Sequence, residues 1–319
     1  DICKTNTDSY SPKEGWDFVN YLDTGNITDN RIDSIQRIDV KSEKLPSRAR
    51  RKVKKDSIIY STVRPNQRHF GIIKSQPVNF LVSTGFAVID TDAQVLDADF
   101  LYYLLTQAAL VESLHAIAEQ STSAYPSIRP SDIEDLKIEI PNLATQKKIA
   151  DILGSLDREI TQNTEVNKNL YEQVNAYYTS LFKDAGYEMT TIGSYAERIY
   201  SGGTPTTSNS AYWDGTLCWF SSGETRNRFV ISTEKTITQA GVNNSSTKLA
   251  TKYDIVMASA GQGFTRGQTS MLLIDTYVNQ SVIVIHAAKE ILPYLYWNLA
   301  NRYEELRAIS DSSSIRGSL

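Results

Sequence analysis

The sequence lacks most of what marks a secreted protein or an enzyme. Among its 319 residues there are two cysteines, Cys3 and Cys218, one in each half. That excludes a disulfide framework and a four-cysteine zinc site, and it fits a reducing cytoplasm. The three histidines, His69, His115 and His286, are far apart and match no metal-ligand spacing. No apolar run approaches the roughly 20 residues that span a bilayer, so no membrane segment is expected. The start, Asp1-Ile2-Cys3-Lys4, shows neither an initiator Met nor a signal-peptide pattern and reads as a trimmed terminus. Catalytic motifs are missing as well. Without a Pro-Pro pair there is no Asp/Asn-Pro-Pro-aromatic loop of an adenine methyltransferase. Gly-Lys-Ser/Thr and HExxH are absent, and no histidine stands at a motif spacing from a nucleophile. Ser201-Gly202-Gly203-Thr204-Pro205 lacks the flanking pattern and lysine of a phosphate cradle, so it reads as a specialised turn. No catalytic residue and no metal ligand is expected.

What is present is a chain 40% hydrophobic, too apolar for disorder and long enough for two domains at about 150 residues each. Its formal net charge of −4 argues against a uniformly basic nucleic-acid binder, but the average conceals an excess. Between Lys41 and Lys74 stand eleven Lys/Arg and two acids, a net +9 that leaves −13 for the rest. Such a segment is either a phosphate-contacting patch or a solvated basic loop.

The chain repeats itself. Ser127-Ile128-Arg129-Pro130-Ser131 is matched by Ser314-Ile315-Arg316-Gly317-Ser318, and Phe100–Leu104 by Tyr294–Asn298. Lys55–Ile59 resembles Tyr253–Met257, and Thr24–Arg31 pairs with Ser222–Arg228. The offsets lie between 187 and 198 residues and keep one order, which indicates two diverged copies of one domain. In each, apolar runs (57–63, 79–90, 254–258, 278–286) read as short strands punctuated by Gly and Pro. One helix closes each copy, over about 98–119 and 291–309, and 132–140 is expected to return as a last strand.

Between the copies, apolar residues step by four and three through Ile149, Leu153, Leu156, Ile160, Asn163, Asn167, Leu170, Val174, Tyr177 and Leu181. That is a heptad seam with two asparagines in register, as in coiled coils. Forty residues at about 1.5 Å each make a rod about 60 Å long. The fold class is therefore α+β: a mostly-β domain at 1–141, a spacer helix at 142–184 and a second mostly-β domain at 185–319. The seam residues are expected to face a partner helix or subunit.

The loops carry the residue types that read DNA, amides and arginines for base edges, hydroxyls and cations for phosphates. In the first copy these are Arg64, Asn66, Gln67, Arg68 and His69, then Ser123 and Tyr125. In the second they are Thr204, Ser208, Arg226, Arg228, Gln262, Arg266 and Ser313. Tyr212 and Trp213 suit a core as well as a base stack, and Arg129 and Arg316 suit a structural role in both copies.

Two repeats separated by a heptad helix that follows Ile140-Pro141-Asn142, with Gln146-Lys147, Ile149 and Ile152-Leu153-Gly154-Ser155-Leu156-Asp157, resemble the specificity subunit of type I restriction–modification enzymes. Ser201–Pro205, followed by Tyr212-Trp213 and Trp219, is similar to a common opening of that family's target recognition domains. The resemblance covers essentially the whole chain. It implies a non-catalytic cytoplasmic subunit of a bacterial defence system, reading a bipartite asymmetric site in double-stranded DNA. It also implies two modification subunits that bind S-adenosylmethionine and a restriction subunit that uses ATP and Mg, with no cofactor in this chain and no membrane. The family normally adds a second, antiparallel spacer helix. Matching Ser314 to Ser127 puts Leu319 opposite Asp132, so that helix is expected to be trimmed or supplied by another chain. The rival reading is a homodimeric adaptor whose repeats bind protein or sugar.

Overall fold

The computed structural model describes residues 2–121, 125–182, 186, 190–260 and 264–312. The chain divides into two compact units, residues 1–167 and 168–319, and each is described by itself.

The first unit contains Cys3–Thr5 (β1), Phe18–Leu22 (β2), the short pair Ile27–Thr28 (β3) and Arg31–Ile32 (β4), Gln36–Asp39 (β5) and Ala49–Lys52 (β6). Ile58–Ser61 (β7), Phe70–Ile72 (β8), Phe80–Ser83 (β9) and Phe86–Thr91 (β10) follow, then Ala98–Leu105 (α1), Ala108–Glu119 (α2) and Pro130–Glu134 (α3). One sheet has the order β1-β10-β7-β8 and another β5-β2-β9-β6, with β2 and β9 parallel. The run 79–90 is thus two strands, not one. Thr84-Gly85 turns between them, and the chain passes from one sheet to the other. Strand β7 is buried on both faces, which is why it reads as a continuous apolar run. Ile58 and Tyr60 pack with Leu101, Leu105 and Leu114 of the helices, whereas Ile59 packs with Phe80, Val82 and Phe86.

The expected closing helix is also two, bent by 66°. Asp97 caps α1 by accepting the Phe100 N–H at 2.9 Å. The Thr106 hydroxyl donates back to the Tyr102 carbonyl at 2.9 Å, and Gln107 is extended, so the helix cannot run on. Likewise 132–140 is not a strand. The Asp132 carboxylate accepts the Arg129 backbone N–H at 2.7 Å and its guanidinium at 2.8 Å, nucleating α3 behind Pro130. That bond to Arg129 also holds the Asp132 carboxyl below its ordinary range. Leu136, Ile138 and Ile140 then pack on the helix-side core without joining a sheet.

The second unit contains Ala196–Ser201 (β11), Trp213–Phe220 (β12), Phe229–Val230 (β13), Lys235–Ile237 (β14), Lys248–Ala250 (β15), Ile255–Ala258 (β16), Thr269–Leu272 (β17), Thr276–Val278 (β18) and Val282–Ala287 (β19). Its closing helix is again split, into Leu292–Asn301 and Tyr303–Ser312. The run 278–286 also divides, into β18 and β19. The sheet orders β11-β19-β16-β17-β13 and β14-β12-β18-β15 reproduce those of the first unit, with β13 added at one edge and with β12 and β18 parallel. The correspondence corrects one detail of the repeat. Ile58 pairs Ile89, and Ile255 pairs Ile285, so Ser57 matches Asp254 and Asp90 matches His286. The Ser57 hydroxyl donates to Asp90 at 2.6 Å, and His286 Nδ1 donates to the buried Asp254 at 2.6 Å. Each unit thus has a polar pair at the same place, buried in the first and partly buried in the second, where Asp254 is covered and His286 is not.

Leu143–Leu181 is one continuous helix, here α4, and the split helices of the second unit are α6 (292–301) and α7 (303–312), after a short α5 at Gln239–Asn243. Among the described residues no single helix is long and apolar enough to cross a membrane.

Candidate nucleic-acid interface

In the first unit the β7–β8 connection, Thr62–His69, meets the segment after α2. Val63 bridges Ser127, the Arg64 N–H donates to the Pro126 carbonyl at 2.9 Å, and the Ile128 N–H to Thr62 at 2.8 Å. Two loops singled out from sequence are therefore one surface. Arg64 (φ 47°) and Arg68 (φ 59°) both sit in the left-handed region, on either side of the turn Pro65–Gln67. Held there, such residues cost roughly 1–3 kcal/mol each, and strain of this kind gathers at functional sites. Arg64, Asn66 and Gln67 are exposed, and the Arg64 guanidinium lies 5.3 Å from the Tyr125 ring centre. The next two residues turn back into the scaffold. Arg68 Nε donates to Asp29 at 2.7 Å and stacks on Phe70, and His69 Nδ1 donates to the Ile27 carbonyl at 2.6 Å. Ser123 lies outside the described residues.

The basic segment is partly neutralised by the chain itself. Lys41 pairs with Asp17, Lys52 with Glu14, Lys54 with Asp90, Arg68 with Asp29, and Lys74 with both Asp56 and Asp99. Lys44, Arg48, Lys55 and Arg64 stand exposed beside these pairs.

In the second unit the chosen residues fall on three loops. Thr204 donates to Gln280 at 2.6 Å, and Ser208 is exposed. The turn expected over Ser201–Pro205 is not there: Gly202 and Gly203 donate to the Asn279 and Val278 carbonyls beside β18, the turn falls at Thr207-Ser208, and a Cβ on Gly202 would meet the Val278 carbonyl oxygen at 2.0 Å. Trp213 packs edge-on against the buried Trp219, so that aromatic belongs to the scaffold. After β12, Arg226 is fastened to the Gly223 carbonyl and to Glu234, while the Arg228 guanidinium lies 3.9 Å from the Tyr171 ring centre. Arg266 is half-buried on the β16–β17 connection, the counterpart of Thr62–His69. Gln262, Ser313 and Arg316 lie outside the described residues. The same connection presents Phe264, 81% exposed, which the sequence reading passed over. The Tyr303 hydroxyl holds its carbonyl at 2.7 Å, and the Arg307 guanidinium lies 5.6 Å from its ring centre.

Helix α4 is anchored on one side and bare on another. The Gln146 side chain is 1% exposed and fully satisfied: it accepts the Asp97 N–H at 2.8 Å and donates to Val95 and Pro141 carbonyls at 3.0 and 2.8 Å. Ala150 is buried beside it, and Tyr103 donates to Asp157 at 2.7 Å. Burial and that carboxylate push the Tyr103 phenol well above its ordinary value. Farther along, Tyr171 packs on Trp297 and Tyr178 on Tyr294, and Asn298 donates to the Tyr178 hydroxyl at 3.3 Å. Of the heptad seam, Leu153 is half-buried; Leu156, Ile160, Asn163, Asn167, Leu170, Val174, Tyr177 and Leu181 are exposed. Seven contiguous heptad steps of this kind form an exposed apolar stripe broken by two amides. Among the described residues no group of three or more His, Cys, Asp or Glu is placed to hold a metal.

Comparison with known proteins agrees with this architecture. A solved structure of a type I restriction–modification system S subunit from M. genitalium aligns with all of the chain and 81% of its own, at TM-score 0.62 and 16% identity, which speaks to the fold. The type I restriction enzyme HindI specificity subunit of Haemophilus influenzae is 32% identical over 166 residues, 52% of this chain and 36% of that protein. The EcoR124I/EcoR124II specificity subunit of Escherichia coli is 28% identical over 189 residues, 55% of this chain and 46% of that protein. The chain thus spans less than half the length of these two relatives in the matched regions. The model of the type I restriction modification DNA specificity domain matches residues 1–171, more than half of the sequence, and the chain belongs to that family.

Proposed function

We propose that this chain is a non-catalytic specificity subunit that reads a bipartite, asymmetric site in double-stranded DNA, each unit reading one half. The observation that carries this reading is the same two-sheet topology occurring twice in one chain, before and after a continuous 39-residue helix in sequence, in a chain of the DNA specificity family. Two different copies suit two different half-sites. The exposed loop residues Arg64, Asn66, Gln67 and Ser208 have the side chains for the contacts. Methylation then belongs to modification subunits that bind S-adenosylmethionine, and cleavage to a restriction subunit that uses ATP and Mg. The stripe on α4 takes an antiparallel partner helix whose polar groups meet Asn163 and Asn167, because an unpaired buried amide costs roughly 1–3 kcal/mol. A homodimeric adaptor is not favoured by the family assignment.

The test is co-expression with a modification subunit, followed by methylome sequencing of the host. A single bipartite methylated motif that disappears when this chain is omitted is the expected result. Methyl transfer by the purified chain alone, or the same motif without it, would overturn the reading.

A further inference from the structure

In both units the chain turns from one sheet to the other at the same place, and the turn is stitched to the foot of a candidate reading loop. In the first unit the turn is Thr84-Gly85, and the N–H and hydroxyl of Thr62 both donate to the Gly85 carbonyl, at 2.8 and 2.9 Å. In the second it is Gln280-Ser281, and the Ser259 N–H donates to the Ser281 carbonyl at 2.9 Å. The strand pairing that matches Ile89 to Ile285 matches Thr84 to Gln280, and both residues are exposed at the tip. Gln280 is aimed. Its Oε1 accepts the Thr204 hydroxyl at 2.6 Å, whereas its Nε2 makes no hydrogen bond among the described residues. The backbone beneath it is fixed, because Asn279 takes the Gly202 N–H on its carbonyl at 3.2 Å and the Ser281 N–H on its side-chain oxygen at 3.0 Å. Those bonds, with the one from Trp219 Nε1 to the Gly203 carbonyl at 3.4 Å, already hold the 201–205 segment down. The exposed Thr204 bond therefore adds little to folding, since water would replace it. It nonetheless freezes a side chain that would otherwise keep most of its rotamer freedom. What it supplies is direction: one end of the amide is taken, and the donor end is left to the outside.

We propose that Gln280 determines one base in the half-site of the second unit: its Nε2 donates to an acceptor on the base edge, and Thr204 is the positioning residue that keeps the amide from turning over. Discrimination follows from polarity. An amide whose oxygen is turned toward Thr204 presents hydrogens, and a base edge that also presents hydrogens repels it. At the matching tip Thr84 carries a hydroxyl in place of the amide, in keeping with two copies that read different half-sites. This assignment rests on the DNA-reading role proposed above and adds to it one residue and the polarity of its hydrogen bond.

The experiment uses the full chain with its modification subunit and a panel of duplexes in which each position of the motif mapped from the methylome is replaced in turn. The affinity lost per replacement is the reading, and for the wild type each recognised position should cost about 5- to 100-fold. Gln280→Ala should erase that penalty at one position of one half-site and leave the others as they were. Gln280→Glu still accepts the Thr204 hydroxyl but has no hydrogen to donate, so preference at the same position should move to a base with an exocyclic amine, cytosine or adenine. Thr204→Val should soften that position too, and should add nothing on top of Gln280→Ala, because the two act through one contact. A profile unchanged in Gln280→Ala, a loss spread evenly over the panel, or a wild-type preference in Gln280→Glu would overturn the assignment while leaving the DNA-reading role standing. A wild type that discriminates at no position would overturn both.

Discussion

Replacing Gln146 by Leu should loosen the joint where α4 meets its first unit. The side chain is nearly inaccessible and makes three hydrogen bonds, so leucine fills the space and removes all three. Each bond has a net worth of about 1 kcal/mol, and a buried group left unpaired costs about 1–3 kcal/mol. Val95 is on an exposed segment, so its carbonyl regains water; the Asp97 N–H beneath the helix is the costly orphan. The sum is about 3–5 kcal/mol. At about 2–4 °C per kcal/mol for a unit of this size, the melting temperature should drop by roughly 6–20 °C. Gln146→Glu keeps the acceptor for Asp97 but turns a carboxylate on two carbonyl oxygens. It should be at least as damaging at neutral pH and partly recover as the pH falls and the carboxyl gains a proton to donate. Denaturant-dependent hydrogen exchange is the assay, read on peptides covering 95–101 and 141–150. Protection in Gln146→Leu within about 1 kcal/mol of the parent would refute the idea that this amide pins the helix.

Arg64→Ala should lower the magnitude of the log–log salt slope of DNA binding by about 0.9 with little change in stability. Arg68→Ala should act mainly on the fold, and only weakly, because its half-exposed pair with Asp29 contributes at most about 1 kcal/mol; equal salt slopes in both variants would contradict the distinction. Swapping 1–140 or 187–319 for the matching domain of a relative should change one half-site in the methylome, and a change in both would count against independent reading. Inserting four residues near Asn163 lengthens the helix by about 6 Å, so the recognised gap should grow by one or two base pairs at about 3.4 Å each; modification at the original spacing alone would show that the helix is not the ruler. Gly202→Ala places a methyl on the Val278 carbonyl oxygen and should cost the second unit about 1–3 kcal/mol by overpacking, measured by urea unfolding against the parent.

The repeat, the mostly-β class and the long helix were all legible in the sequence, because each rests on periodicity or order that packing does not override. The errors have local causes. Runs 79–90 and 278–286 look unbroken because both strands of each run are buried, and only a two- or three-residue turn separates sheets. Residues 132–140 have a strand's apolar alternation, yet Pro130 and the Asp132 cap start a helix there first. Gln146 was visible as a motif residue, but its three partners come from segments a sequence cannot bring together. In the candidate interface, Arg68 and His69 look equal to Arg64 on paper; the acid and the carbonyl that turn them inward lie about 40 residues earlier. Phe264 went unnoticed because a lone aromatic in a Gly-rich loop carries no signal of whether it points in or out.

The exchanged polar pairs restrict how such a protein can be rearranged. Ser57 faces Asp90 in one unit, and Asp254 faces His286 in the other, at the same crossing of the same two strands. A crossover falling between these strands would seat Asp254 against Asp90, two carboxylates in a site where Asp254 is 1% exposed, or Ser57 against His286. The first leaves a buried charge repelled by its neighbour, the second an imidazole without its acid. Exchange of whole units avoids both. Recombination between the two halves of such genes should therefore leave survivors whose breakpoints lie outside the strand pair, and new specificities should arise by trading intact readers rather than by blending them.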